Sequence, residues 1–335
     1  MSIVDFRETG KIEAYYLKRV WYYYLSLKTS AHEAEKNKVP WKYINALFNT
    51  LGIGTEPTIK YLLNKSPDFE TFENWILKNG RVSPQHLKNY NSVILSKKDG
   101  ILAFKQHTVL SEVDLRHWEE KGYVIVKNAI SKEDCEKTKA LIYETLGATP
   151  NEPDTWYKPH PLKQGIMVQF FQHDILDKNR FSPRIKGAFE QLWQRTDLLV
   201  DMDRVSFNPP ETSDYTFPGP NLHWDVSLKR PIPFGLQGLL YVSDTLKDQG
   251  AFTVVPGFHN QIDHWLENLP QDANPRDVAM LNKMVLEPIA GNAGDLIIWN
   301  QCLPHGSSPN TSRLPRIVQY INYQPIELAY QEEWI

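Results

Sequence analysis

Cysteine is scarce in these 335 residues: Cys135 and Cys302 are the only two, which excludes a disulfide framework as the source of stability. No apolar run approaches the ~20 residues needed to cross a bilayer as a helix. The formal charge of −3 is too small to argue for a partner gripped through bulk charge, such as nucleic acid or an anionic membrane. No internal repeat, low-complexity tract or zinc-type Cys/His spacing occurs. Residues 1–8 lack a basic-then-apolar leader pattern, so the expected location is a reducing cytoplasm. What remains is a chain with 41% hydrophobic residues, long enough for one large domain or a core with an added lobe.

Chemistry enters with His223-Trp224-Asp225 and, after a long gap, His305. Two imidazoles and a carboxylate make the facial set that holds Fe(II) on one side and leaves the opposite positions open. Residues i and i+2 of an extended segment point to one face. One strand is therefore expected to deliver His223 and Asp225, and another His305. Alone, the His-x-Asp pair is a weak signal, because such pairs arise by chance and an isolated histidine is more often a structural hydrogen-bonding group.

The flanking segments supply context. Residues 234–242 read as a strand, followed by a polar turn, a second strand at 251–255 and the stop Pro256-Gly257. Gly294-Asp295 leads into the apolar run 296–299. Another turn cluster follows His305, and 316–323 reads as the last strand. Short strands broken by Gly, Pro and Asp turns predict a mainly β chain with flanking helices (α+β) around a double-stranded β-helix, a cupin-like jelly roll. Residues 1–107 read instead as a mainly helical extension, either packing, a lid or an oligomer contact, with 108–335 as the jelly-roll domain. Ser66-Pro67 and Ser83-Pro84 resemble helix starts, and Trp41, Ile44, Leu47 and Phe48 recur at helical spacing. Ser111 with Asp114, and Ser131 with Asp134, predict two further capped helices, the second stopping at Gly147.

Taken in order, these segments resemble the phytanoyl-CoA dioxygenase (PhyH-like) family of Fe(II)- and 2-oxoglutarate-dependent oxygenases. The likeness rests on His223-Trp224-Asp225 and on Asp248-Gln249-Gly250 through Val255-Pro256-Gly257-Phe258-His259. It continues with Gly294-Asp295 through His305-Gly306-Ser307 to Arg316, and with residues 119–128 ahead of the helix start at Ser131. It spans roughly residues 108 to 325. The resemblance implies that His223, Asp225 and His305 bind Fe(II), with 2-oxoglutarate and O2 as cosubstrates. It further implies that Arg316, eleven residues after the second histidine, pairs with the far carboxylate of 2-oxoglutarate and that Ser307 assists. A planar arginine fork on a rigid strand suits a dicarboxylate. Arg313, in a turn-rich segment before Pro315, is the competitor and could instead meet substrate or water. Gln169 joins the cosubstrate set.

Relatives that transfer chloride carry a small residue where Asp225 stands, so hydroxylation is favoured, with desaturation or another rearrangement left open. Cys302 reads as a buried thiol rather than a ligand. Candidates for substrate contact are Trp224, Phe171, Arg204, Arg313 and Lys163; Trp224 is equally readable as an ordinary core residue. Aromatic and basic groups together suggest a small or medium polar or acidic metabolite, and no plain basic surface for a CoA thioester is seen. Neither nucleic acid nor membrane is expected as a partner, and assembly is left at monomer or homodimer. Two other readings stand beside the oxygenase: a metal- or ligand-binding barrel without turnover, and an interaction protein on a retained scaffold.

Overall fold

The fold is that of a computed structural model, which describes residues 3–99, 108–271, 273–277, 281, 283–328, 331 and 333–335. Twelve strands run through them: β1 (Tyr123–Val126), β2 (Lys163–Gln164), β3 (Met167–Val168), β4 (Leu198–Val200), β5 (Val205–Asn208), β6 (Leu236–Tyr241), β7 (Phe252–Val254), β8 (Glu287–Ile289), β9 (Leu296–Asn300), β10 (His305–Ser307), β11 (Arg316–Tyr320) and β12 (Tyr323–Pro325). The chain divides into two compact units. One comprises residues 1–105, 194–202 and 323–328, the other 106–193, 203–322 and 329–335.

The first unit is helical: α1 (Leu17–Ser26), α2 (Ala31–Asn37), α3 (Trp41–Thr50), α4 (Thr55–Lys65), α5 (Phe69–Asn79) and α6 (Pro84–Asp99). Their apolar faces close on one core that holds Val20, Leu47, Phe48, Phe72, Ile76 and Tyr90. Of the four residues read at helical spacing in α3, Ile44, Leu47 and Phe48 are buried, whereas Trp41 is 56% exposed at the first helical position. The helix expected from Ser66-Pro67 begins later. Asp68 is its N-cap, accepting from the Thr71 N–H, and Ser66 ends α4 in the left-handed region at φ 46°. Proline disfavours the α region in the residue before it, and the aspartate carboxylate is a strong cap. The second expected start, Pro84, is where α6 begins.

The second unit is mixed α/β with antiparallel sheets. Its larger sheet has the order β1-β9-β6-β11-β5-β3-β2, and a smaller one the order β10-β7-β8. Helices α7 (Glu112–Lys121), α8 (Lys132–Thr145), α9 (Asp174–Arg180), α10 (Pro183–Trp193) and α11 (Ile262–Glu267) flank them. Ser111 and Asp114 form a complete capping box at α7 despite the short aspartate side chain. Gly122, at φ 76°, ends that helix and turns the chain into β1. The strand expected over 316–323 is interrupted: β11 stops at Tyr320 and β12 pairs with β4 in the helical unit. At the break the Asn322 side chain accepts from the Gly238 N–H, and Ile321 N donates to the Gly238 carbonyl. Leu239, Tyr241, Phe252, Ile297, Trp299 and Val318 form the core beneath the site. Among the described residues no helix is long and apolar enough to cross a membrane.

Candidate metal centre

His305 opens β10, in register with Val254 of β7. His223 reaches it through an isolated antiparallel bridge, each N–H donating to the other's carbonyl at 2.9 Å. That exchange sets the two imidazoles side by side, ring centroids 4.7 Å apart. The single strand expected to carry both His223 and Asp225 is absent; Asp225 lies in a bend just past the bridge. The reason is a competing donor. Arg276 donates from NH1 to the Trp224 carbonyl at 2.8 Å and from NH2 to the Val226 carbonyl, so the two carbonyls flanking Asp225 serve a guanidinium rather than a ladder.

The ligand atoms of His223, Asp225 and His305 all lie within 4.8 Å of one another. His223 Nε2 is 3.4 Å from Asp225 Oδ1, and His305 Nε2 is 3.3 Å from Oδ2. Each Nδ1 faces a backbone carbonyl, Asn221 O at 2.6 Å and Leu303 O at 3.0 Å. A carbonyl only accepts, so these contacts place the neutral-ring proton on Nδ1 and leave the Nε2 lone pairs for a cation. Two lone pairs and a carboxylate converging without a proton or cation between them would repel. Burial opposes charge on His223, but the hydrogen bond and charge of Asp225 outweigh it and raise its pKa. Desolvation likewise opposes the Asp225 carboxylate, yet a proton on the facing Nε2 of either imidazole, by hydrogen bond and charge, holds its pKa far below the usual range. A divalent ion fits this donor set: nitrogen, nitrogen and anionic oxygen, with the Asp225 side chain 52% exposed on the open side.

A cavity of about 280 Å³ adjoins the three ligands, and its wall includes Arg204, Gln237, Ser307, Tyr320 and Asn322. Behind it, Arg316 at the head of β11 is fully buried. Its NH1 donates to Ser307 Oγ at 3.0 Å and its NH2 to Ser206 Oγ at 3.1 Å, while Nε has no hydrogen-bond partner among the described residues. Tyr320 also meets this guanidinium; neutral hydroxyls do not neutralise a buried guanidinium, so the geometry suits an anion.

The remaining sequence candidates lie elsewhere. Arg313 is exposed and does not line the cavity. Gln169 donates to Gln164 Oε1 at 3.0 Å, and neither Gln169 nor Phe171 is part of the wall. The Lys163 ammonium is spent on the Trp156 and Lys158 carbonyls, at 2.8 and 3.1 Å, and burial lowers its pKa. Trp224 is 2% exposed, donates to the Cys302 carbonyl at 2.9 Å and packs on Phe258 and Trp265, the arrangement of a core residue. The Cys302 thiol is pushed up to about 11 by burial and is not in the ligand cluster. Arg204 does reach the cavity, its Nε held by Asp203 Oδ1 at 3.3 Å. Two residues that the sequence reading missed complete the site: Arg276, and Gln237, whose Nε2 donates to Asp225 Oδ2 at 2.7 Å. For Gln237 the available signal was a lone amide inside an apolar strand; for Arg276 there was none.

Residues 118–318 match the family model described as Phytanoyl-CoA dioxygenase (PhyH). A Dictyostelium discoideum protein bearing the name of a phytanoyl-CoA dioxygenase is 25% identical over 267 residues, 62% of this chain and 74% of that protein. An ectoine dioxygenase of Bordetella bronchiseptica is 21% identical over 259 residues, covering 71% of this chain and 83% of its own. Among solved structures, EvdO2 from Micromonospora carbonacea var. aurantiaca complexed with 2-oxoglutarate is similar at a TM-score of 0.47, with 14% identity over 68% of this chain and 95% of that one.

Proposed function

The chain belongs to the phytanoyl-CoA dioxygenase family, whose members are Fe(II)- and 2-oxoglutarate-dependent oxygenases, and on that premise we propose that it hydroxylates an aliphatic carbon of a small or medium polar or acidic metabolite. The observation that carries this reading is the convergence of His223 Nε2, His305 Nε2 and the Asp225 carboxylate beside a cavity backed by an uncompensated Arg316. Bound iron, with 2-oxoglutarate and O2, supplies the oxidising power for cleaving a C–H bond, and succinate and CO2 leave.

The protein's share is position and electrostatics. His223, Asp225 and His305 hold the metal on one side. Arg316 and Ser307 present adjacent donors to the far carboxylate of the cosubstrate, a charge-assisted pairing strengthened by exclusion of water. Arg204 and Tyr320 give the cavity wall its polarity and are assigned to substrate. The antiparallel sheets of the second unit are read as the jelly roll that family membership leads one to expect. Chemistry is assigned to residues 108–335, and a packing role to the helices of 1–107.

Anaerobic addition of Fe(II) and then 2-oxoglutarate to the apo-protein tests the reading. A saturable visible charge-transfer band is expected, followed by metabolite-dependent succinate release. A folded, iron-loaded protein that gives no band with 2-oxoglutarate would overturn it.

A further inference from the structure

Gln237 and Trp299 face each other in register across the β6–β9 pair. The indole Nε1 donates to Gln237 Oε1 at 3.0 Å, and Gln237 Nε2 donates to Asp225 Oδ2 at 2.7 Å. The direction of this chain is fixed by chemistry. An indole nitrogen can only donate, and an ionised carboxylate can only accept, so the amide between them has one orientation that satisfies both. Trp299 is itself held. It is 2% exposed, lies on a strand flanked by β1 and β6, and packs against Phe252 at 4.4 Å and the His305 ring at 5.1 Å between centroids. The donor aimed at Asp225 is thus anchored on a strand paired on both edges, while Asp225 sits in a bend outside any ladder.

We propose that Gln237 is a positioning residue of the metal centre: oriented by Trp299, it binds Asp225 Oδ2, the oxygen that also faces His305 Nε2 at 3.3 Å, and so fixes the rotation of the carboxylate whose Oδ1 faces His223 Nε2 at 3.4 Å. This rests on the reading that His223, Asp225 and His305 hold the metal. A carboxylate beside two imidazoles on a bend outside any ladder can rotate, present both oxygens, or swing away. An amide N–H held against one oxygen restrains that rotation and keeps both oxygens turned toward the two imidazoles. Outer hydrogen bonds of this kind set ligand orientation, and their loss typically costs ~10–100-fold in metal affinity.

The experiment uses the full-length protein with Co(II) as a probe, comparing wild type, Gln237→Met and Trp299→Phe. The readouts are Co(II) affinity, the visible ligand-field spectrum and the unfolding midpoint of the metal-free protein. Gln237→Met is expected to weaken Co(II) binding by ~10–100-fold and to change the spectrum, with the metal-free midpoint close to wild type. Trp299→Phe keeps the glutamine but frees its amide, so a smaller change of the same spectral sign is expected. It carries the test by itself if Gln237→Met does not fold. Wild-type affinity and spectrum in the variants would overturn the proposal. So would weaker binding with an unaltered spectrum and a matching fall in the metal-free midpoint, since that is what a purely structural role produces. The underlying reading fails separately: if wild type binds no Co(II), or His305→Ala binds it as wild type does, the ligand set is wrong and Gln237 has nothing to position.

Discussion

Arg316 brings a permanent charge to a fully buried position where, among the described residues, hydroxyls of Ser206, Ser307 and Tyr320 answer it. Such a group gains most from a ligand that supplies the missing anion, because the cost of removing it from water has already been met by folding. Arg316→Ala is expected to weaken 2-oxoglutarate binding by about 2–4 kcal/mol, or ~30–1000-fold, with Fe(II) affinity little changed. Arg313→Ala, at an exposed position outside the cavity wall, is expected to leave it at the wild-type value. Titration of the charge-transfer band in both variants decides; an effect confined to Arg313→Ala reverses the assignment. At this scale the cluster of His223, Asp225 and His305 was legible because imidazole and carboxylate carry their chemistry in the side chain itself. Gln237 and Arg276 were not. Their significance lies in which carbonyl or carboxylate they meet, 12 residues away for Gln237 and 52 for Arg276, and a glutamine or arginine is compatible with almost any surface.

The segment 223–228 shows what decides an element when several partners compete. Its spacing predicts a strand, and a short bridge to His305 does form. Past it, Arg276 collects the Trp224 and Val226 carbonyls, and the Leu228 N–H donates to the Ile335 carbonyl, so backbone groups that would have built a ladder are satisfied by residues distant in sequence. Arg276→Met should leave two flanking carbonyls without their charged donor. We expect a stability loss of about 1.5–3 kcal/mol and a weaker Co(II) complex, because the bend carrying Asp225 loses its brace. Equilibrium denaturation alongside Co(II) titration checks this; unchanged metal binding in a destabilised protein would confine Arg276 to stability. The capped helices were easier to read. Ser111 and Asp114 sit three apart and meet within one turn, so the information is local. The strand expected over 316–323 failed at Ile321 and Asn322 for the opposite reason, since the break depends on Gly238, more than 80 residues earlier.

Across the whole chain, the helical unit is closed by pieces that a linear boundary at residue 107 leaves out. Segments 194–202 and 323–328 belong to it, and Leu199 and Ile326 are buried in its core. Asn89 of α6 pins one edge of β4 at two points, donating to the Leu198 carbonyl at 3.1 Å and accepting from the Val200 N–H at 3.3 Å. Nothing in a three-residue strand such as β4 distinguishes it, in sequence, from any short apolar run. A fragment comprising residues 108–335 would carry β4 and β12 without the helices that bury them. Exposing Leu199 and Ile326 alone forfeits roughly 1.5–3 kcal/mol each, before the lost Asn89 hydrogen bonds are counted. That fragment is therefore expected to unfold at a lower midpoint than the full chain, or to aggregate through the uncovered strand pair, and adding back residues 1–107 as a separate chain should recover part of the loss. Asn89→Ala in the full-length protein should move stability in the same direction by a smaller amount. A 108–335 fragment that is monomeric, unfolds cooperatively at the full-length midpoint and binds Co(II) normally would show instead that the returning segments are passengers in the helical unit, and that the oxygenase core stands without it.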